Sequence, residues 1–465
     1  MKHRILFAFL FAASSAHAQP APDPAAGTSS GTEAPPSTEP PVEKPAEPEA
    51  APLPPPAPAP TSTIDEKALN ALIDERIAKS PKTAGWKDGF FIRTVDDSAK
   101  LRIGGIMQFD GRFFVDDTQD PHINQFAFRS IRPDLQGTVL DHYEFRLLPD
   151  FAGGKIVVQD AYADVHYGDA VKFRVGKFKV PFGLERLQNE IATTFTERGL
   201  PTQLAPNRDL GVQVFGDIGL LTYQLGVFNG VADGGSGDGD VSNGKDVAAR
   251  VFVKPVAGLG LGVAGTFGDK TGTVAQPDTP QWKTSGQTTI FQYKTGGTSL
   301  MDTVIADGRH WRGTAQGYYY AGPIGLLAEY VRSGQHVSLQ STHELVVADA
   351  WQVLGQWVVT GDDATYNSVT PRHPFDPEKG HWGAVDVVAR VGELRLTDGV
   401  AFDTGLADPT KYAFRAWSAG GGTDWFVNKV FRVVLDVERT WYTLGAKDGN
   451  RPPETSIIGR AQTVF

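Results

Sequence analysis

The chain has 465 residues, no cysteine and a net charge of −10 at pH 7. The lack of cysteine excludes disulfide bonds, thiol catalysis and cysteine-ligated zinc, and the acidic balance argues against nucleic-acid binding through a basic surface. No stretch approaches the roughly eighteen uninterrupted apolar residues that a membrane-spanning helix needs, so a helical membrane protein is not expected.

The N-terminus has the pattern of a secretory signal. Lys2 and Arg4 precede a short apolar run, and Ala16-His17-Ala18 forms a small-x-small cleavage site. These features predict a signal peptide over residues 1–18.

Residues 19–61 are rich in proline and alanine, with fifteen prolines between Pro20 and Pro60. Such a segment buries little apolar area, which predicts an extended, disordered linker.

A short helix is predicted over residues 62–80. Thr63 to Glu66 has the capping-box pattern, and Pro81 follows the segment. One face carries Leu69, Leu72, Ile73 and Ile77. Because about four helical turns are marginally stable alone in water, the pattern favours a short coiled coil, while a frayed helix without a partner remains an alternative.

From about Phe90 to Phe465 the apolar residues recur with a period of two. Apolar and charged side chains alternate along stretches of about ten residues, such as Leu101 to Val115 and Val433 to Trp441. This alternation is typical of the strands of a transmembrane β-barrel. We therefore predict an all-β fold, a transmembrane antiparallel β-barrel over residues 86–465, with about sixteen to eighteen strands.

A soluble β-sandwich or β-helix is the alternative, with the apolar face turned inward. Two features favour the barrel. The polar face carries charges of both signs, and short turns, such as Gly153-Gly154 and Val256 to Gly258, alternate with long polar segments such as 269–308. Phe465 ends an alternating stretch, which is also typical of outer-membrane barrels.

Several segments resemble the phosphate-selective porin O and P family. They include Phe128 to Arg132, Phe173 to Glu185, Asn207 to Val212, Lys245 to Phe252 and Arg460 to Gln462. The resemblance covers roughly residues 90–465. It implies a sixteen-stranded, homotrimeric anion channel whose pore is narrowed by an in-folded loop, here about Gly183 to Arg208.

Arginine and lysine on the polar face would form the anion pathway, because guanidinium and ammonium groups replace the water around an oxyanion. Strand parity predicts that Arg102, Arg112, Arg146, Arg174, Arg250, Arg390, Arg415, Arg432 and Arg460 face the lumen, with Lys172 near one rim. The family motif adds Arg129, Arg132, Lys177 and Lys179 near the constriction. One departure is Ser130, which stands where the family commonly has a second arginine.

The same polar face also carries many carboxylates, including Asp110, Asp160 and Asp436. The arginines could therefore be paired scaffold charges, as in an unselective pore. The sequence predicts an outer-membrane channel for small anions such as phosphate or polyphosphate. A non-selective general-diffusion porin is the main alternative, and a structural envelope tether or an outer-membrane hydrolase is less favoured.

The predicted location is the outer membrane of a Gram-negative bacterium, among lipid and lipopolysaccharide, with the N-terminal segment in the periplasm. No cofactor or metal site is predicted. Gly260 to Gly265 matches a dinucleotide-binding pattern but lies in an alternating strand rather than a strand–helix turn. Asp238 to Asp246 resembles a calcium loop without its terminal glutamate.

Overall fold

The computed structural model describes residues 66–79, 83–115, 123–297 and 299–465. The predicted signal peptide (1–18) and linker (19–61) lie outside these ranges.

The predicted helix is present as α1, Glu66–Lys79. Leu69 and Leu72, two residues of its predicted apolar face, are exposed, and the pairing of α1 into a coiled coil stays a prediction. A second helix, α2, spans Val400–Asp403. Neither helix in the described ranges has the length and apolar character needed to span a membrane.

Sixteen antiparallel strands form a closed barrel, which confirms the predicted fold. Each strand pairs with the next along the chain, and the last pairs with the first, where Gly459 lies opposite Gly111. The barrel strands are β1 (Ala99–Val115), β2 (Gln125–Val139), β3 (Tyr143–Asp150), β4 (Val157–His166), β5 (Lys172–Lys179), β6 (Arg208–Ile218), β7 (Leu221–Phe228), β8 (Asp246–Val256), β9 (Leu259–Thr271), β10 (Ile305–Ala321), β11 (Ile324–Leu339), β12 (Thr342–Val358), β13 (Ala384–Leu396), β14 (Ala413–Phe426), β15 (Phe431–Ala446) and β16 (Glu454–Val464).

Within the described ranges, five shorter strands accompany the barrel. Phe90–Arg93 pairs with the start of β1, and Ala84–Trp86 pairs with Phe90–Arg93. Gln281–Lys283 and Thr289–Gln292 form a separate hairpin, while Gly449–Asn450 extends the end of β15.

Burial follows the predicted alternation, with the polar face inside. On β1, Gln108, Asp110 and Arg112 are buried, whereas Phe109 and Phe113 between them are each 40% exposed. The same arrangement recurs around the barrel, because the apolar side chains face lipid and the polar side chains that alternate with them face the interior. The soluble alternatives, which need the apolar face inside, are wrong.

The two ends of the barrel differ. The terminus end carries Ala99 and Phe465, whose backbone N–H and C=O both bond Gly105 on β1, and most of its connections are short, such as 219–220 and 257–258. The opposite loop end carries most of the long connections, including 180–207, 229–245 and 272–304.

The predicted asymmetry of turns has two exceptions. The connection 359–383 is long although it lies at the terminus end, and 340–341 is short although it lies at the loop end. Gly153-Gly154 was predicted to be a short turn like the one at 256–258, but it lies at the loop end, whereas 256–258 lies at the terminus end. Loop length alone therefore does not identify the end of the barrel.

Candidate ion pathway

The connection between β5 and β6, residues 180–207, folds into the barrel as the sequence predicts; we call it the constriction segment. Glu197 bonds Arg129 on β2, the backbone N–H of Leu184 donates to Glu329 on β11 at 2.6 Å, and that of Thr196 donates to Asp436 on β15 at 2.5 Å. Because β2 and β11 lie on opposite sides of the sixteen-stranded barrel, the segment crosses the interior.

A second segment, 272–304, enters the interior from the loop end. Its hairpin buries Trp282 and Phe291, whose rings stack at 4.8 Å. The hydroxyl of Ser285 donates to Glu438 on β15 at 2.7 Å, and the backbone N–H of Lys283 donates to Gln203 of the constriction segment at 2.9 Å. The sequence predicted only a long polar loop here, so its packing inside the barrel is a correction.

A third segment, 359–383, enters from the terminus end. The Tyr366 hydroxyl donates to the carbonyl of Leu184 at 2.6 Å, and its ring stacks on Tyr318 at 4.8 Å. Gln188 also donates to the Tyr366 carbonyl at 2.8 Å. The third segment therefore meets the constriction segment inside the barrel. The second and third segments contact strands from β9 to β16.

A polar cavity of about 250 Å³ lies on the other side, against β1 to β7. We call it the basic cavity, because its charged lining consists of Arg132, Arg146, Arg174, Lys179 and Arg208 with only two carboxylates, Asp160 and Glu190. A second cavity of about 260 Å³, the rim cavity, is lined by Lys100, Arg102, Glu144, Arg146 and Tyr162 among others. Because Arg146 and Tyr162 line both cavities, the two adjoin along one wall of the barrel.

Most cations of the basic cavity are paired with carboxylates. Arg132 bonds Asp150 at 2.7 Å and also Glu190. Further ion pairs at 2.7–2.8 Å are Arg146–Asp134, Arg174–Asp164 and Arg208–Asp160. These pairs hold the guanidinium groups in place and partly neutralise them.

Lys179 differs from its neighbours in the basic cavity. Its ammonium donates to the carbonyl of Gln188 at 2.9 Å, and no carboxylate of the described residues lies within 4.0 Å of it. Arg102 in the rim cavity likewise bonds an uncharged partner, Gln136, at 2.6 Å. Within the described residues, neither group is neutralised by an ion pair.

Glu197 of the constriction segment gathers three arginines that the sequence assigned to the anion pathway. It lies 2.6 Å from Arg112, 2.7 Å from Arg129 and 3.9 Å from Arg460. Burial alone would raise the pKa of Glu197, but the attraction of Arg129 and of the other two guanidinium groups outweighs it and holds the pKa below its ordinary value. These arginines therefore anchor the constriction segment to the wall.

The comparisons with known proteins agree with this geometry. The family model of the phosphate-selective porin O and P proteins matches residues 101–459. This chain belongs to that family. Comparison with curated protein sequences gives no significant match.

Solved structures with the same fold are outer-membrane proteins. DcaP of Acinetobacter baumannii aligns with a TM-score of 0.53 at 10% identity, over 80% of this chain and 99% of its own. A loop-deletion mutant of OmpT of Vibrio cholerae gives 0.51 at 13%, over 79% and 100%. An anion-selective porin of Comamonas acidovorans gives 0.50 at 10%, over 79% and 100%. At such low identity the likeness shows the fold alone; with the family it identifies an outer-membrane channel.

Five of the predicted pathway residues line the basic cavity or the adjoining rim cavity of this porin. They are Arg102, Arg132, Arg146, Arg174 and Lys179. Arg208 and Lys100 were not assigned to the pathway in the sequence. Arg208 lies opposite Lys179 in the β5–β6 register. These two residues flank the constriction segment, so pairing the strands on either side of that segment would have placed Arg208 beside Lys179.

Several predicted residues lie elsewhere in the interior. Arg390 bonds Glu438 at 2.7 Å and stacks on Phe195, so it anchors the constriction segment. Arg250 bonds Gln224 at 3.2 Å without lining either cavity. Arg432 pairs with Asp424 at 2.6 Å.

Three further predicted residues lie at the edges of the porin. Lys172 pairs with Asp169 at 3.0 Å near the terminus end, as predicted. Lys177 bonds Asp238 of the connection 229–245 and does not line the basic cavity. Arg415 was predicted to face the lumen, which is wrong: it alternates with the buried Ser418 and Asp424 on β14 and lies on the outward face.

The carboxylates of the calcium-like loop bind basic side chains. Asp238 bonds Lys177, Asp240 bonds Lys245, and Asp246 lies 3.3 Å from Arg312. Among the residues that the structure describes, no three potential metal ligands are grouped to hold an ion. Gly260 to Gly265, the other motif, lies within β9 and pairs with β10.

Proposed function

We propose that this outer-membrane porin conducts small anions by passive diffusion, without an enzymatic step. The pathway follows the wall formed by β1 to β7, from the rim cavity to the basic cavity. A hydrated anion on this route exchanges water for arginine and lysine donors at successive positions, and no single site needs to bind it tightly.

The observation that carries this proposal is the charge lining of the basic cavity. Five cationic side chains face two carboxylates, and Lys179 donates only to a backbone carbonyl. Guanidinium forks suit the oxygens of an oxyanion, while an ammonium provides a compact charge. The lining therefore favours anions over cations.

Non-selective diffusion is the second candidate, and the ion pairs favour it. Arg112, Arg129 and Arg460 surround Glu197, and the opposite wall carries buried carboxylates such as Asp386 and Asp424. If the paired charges cancel along the whole route, the channel would pass both ion types.

Phosphate is the solute we propose for the basic cavity. Arg132, Arg208 and Lys179 line one cavity together, so two guanidinium groups, each also bonded to a carboxylate, and one ammonium surround the proposed oxyanion. The family name supports this proposal, and so does the anion-selective porin of Comamonas acidovorans among the proteins of similar fold.

We also propose that the terminus end and the N-terminal segment face the periplasm, because outer-membrane barrels usually place short turns there and long loops outside. The protein would be a homotrimer surrounded by outer-membrane lipid and lipopolysaccharide. The mass of the purified protein in detergent, measured by light scattering, tests the trimer directly.

Ion selectivity in planar bilayers tests the conduction proposal. In a KCl gradient the reversal potential should show chloride preference, and millimolar phosphate should reduce the chloride current. A reversal potential near zero would favour non-selective diffusion, and cation preference would refute the anion pathway. Chloride preference without block by phosphate would remove the phosphate site and leave the anion channel.

A further inference from the structure

A row of charged side chains crosses the outward face of four neighbouring strands. Arg332 on β11 lies opposite Asp349 on β12, Asp349 lies opposite Arg395 on β13, and Arg395 lies opposite Arg415 on β14. Glu393, two residues from Arg395, lies on the same outward face. We call these five residues the outer row.

In the outer row, three arginines form ion pairs with two carboxylates. Arg332 lies 3.6 Å from Asp349, Arg395 lies 3.6 Å from Glu393, and Arg415 bonds Glu393. The carboxylate side chains are only 8% and 7% exposed, whereas those of the arginines are 47–52% exposed. The carboxylates thus fix the guanidinium groups from beneath, and the row presents one excess positive charge outward.

The height of the outer row on the barrel is marked by aromatic side chains. Trp351 follows Asp349 on the outward face of β12, and Trp417 follows Arg415 on that of β14, both toward the terminus end. Further along the same strands, Trp357 and Trp425 form a second aromatic level near the terminus end.

Between the two aromatic levels the outward face is uncharged on these strands, with small and apolar residues such as Val353 on β12 and Val387 and Val391 on β13. Aromatic girdles flank the apolar band of outer-membrane barrels at both interfaces. The outer row therefore lies just beyond one girdle, at the level of lipid head groups, on the loop-end side.

We propose that the outer row is a binding site for the phosphate groups of the outer-leaflet glycolipid, whose acyl chains would lie on Trp351, Trp417 and the apolar band below. Arginine binds phosphate through two parallel hydrogen bonds, and clustered basic residues at the head-group level attract anionic lipids. Assignment to the outer leaflet rests on the orientation given under Proposed function; the site itself is separate from the ion pathway, since its side chains lie outside the barrel wall.

The test compares lipid binding by full-length porin variants. Arg395→Gln/Arg415→Gln removes two of the three guanidinium groups, and Arg309→Gln is the matched control, an exposed outward arginine on β10 outside the row. Binding of bisphosphorylated lipid A is measured by native mass spectrometry from detergent, together with dephosphorylated lipid A as the second ligand. Heat-dependent gel mobility identifies variants that have folded.

We expect the double variant to bind bisphosphorylated lipid A at least tenfold more weakly, and Arg309→Gln to bind within twofold of the native protein. Native porin should prefer the bisphosphorylated to the dephosphorylated lipid, and 10 mM inorganic phosphate should not displace it. Arg395→Lys/Arg415→Lys, which keeps the charge but loses the forks, should show an intermediate loss. The reversal potential and conductance of the double variant should be unchanged.

Undiminished lipid binding by the folded double variant would overturn the proposal, as would an equal loss in Arg309→Gln. Displacement by inorganic phosphate would show a free-anion site instead of a lipid site. A double variant that becomes monomeric while still binding the lipid would identify the row as a contact between copies of this chain. A wild-type reversal potential near zero, by contrast, would refute the anion pathway and leave the lipid site intact.

Discussion

Replacing Lys179 by glutamine removes a positive charge from the basic cavity without opening a large space. The ammonium donates to the carbonyl of Gln188 at 2.9 Å, and no carboxylate of the described residues lies within 4.0 Å of it. A glutamine amide retains a donor near this position, so the main change is the loss of one uncompensated charge.

The size of the effect follows from the interaction of two unit charges. At about 4 Å it is worth about 1 kcal/mol in water and about 4 kcal/mol at an effective dielectric constant of 20. A conducting cavity must hold water, so the lower value applies to the proposed pathway. A loss of about 1 kcal/mol corresponds to a roughly fivefold lower permeability of anions relative to cations.

The assay is the reversal potential of purified porin in planar bilayers under a KCl gradient. Arg309→Gln, on the outward face of β10, is the control for removal of one positive charge from the protein as a whole. An unchanged permeability ratio in Lys179→Gln would refute the role of the basic cavity, and an equal fall in Arg309→Gln would show an effect of total charge.

Three further predictions concern the inserted segments. Glu197→Gln should weaken the attachment of the constriction segment by about 3–5 kcal/mol, the usual cost of breaking a buried ion pair. Faster proteolysis within 180–207 and noisier single-channel current would show this weaker attachment. An unchanged digestion pattern would contradict it. The lowered pKa of Glu197 keeps its carboxylate ionised. Its contribution to stability is therefore present above the ordinary glutamate pKa and is lost only as the pH falls through the lower pKa of the folded state. Current noise should be the same at pH 7 and pH 5, and a rise at pH 5 would refute this charge state. Tyr366→Ala should raise the single-channel conductance, because it removes the ring stacked on Tyr318 and the hydrogen bond to Leu184. Tyr366→Phe, which keeps the ring, should cause a smaller change. Equal conductance in the native protein and both variants would mean that this side of the interior stays closed.

The alternation of residue types was sufficient to predict the barrel and the direction of most of its side chains. Asp110 and Arg112 lie inside and Phe109 and Phe113 outside, as the period of two requires. Arg415 shows the limit of this reasoning, since its direction depends on which of its neighbours on β14 face the lumen, and the two possible assignments differ by a single position.

The contacts of the arginines could not be predicted from strand patterns. Arg129 and Glu197 are separated by 68 residues, and only the path of the constriction segment across the barrel brings them together. The alternative of paired scaffold charges, weighed from the sequence, describes this group correctly, whereas the role of Lys179 in anion passage stays a prediction.

The inserted segments were the main omission. Trp282, Phe291 and Tyr293 are conspicuous in a segment interpreted as a polar loop, and all three are buried. Their aromatic character was the available signal, because large apolar side chains rarely cluster in a loop that stays in solvent.

The off-centre position of the open space has a consequence for molecular sieving. The number of strands sets the circumference of the barrel, but the width available to a solute is set by how far the three inserted segments reach into the interior. Porins with equal strand numbers can thus admit molecules of different size, and uncharged residues such as Tyr366, which contacts the constriction segment, would determine the cut-off.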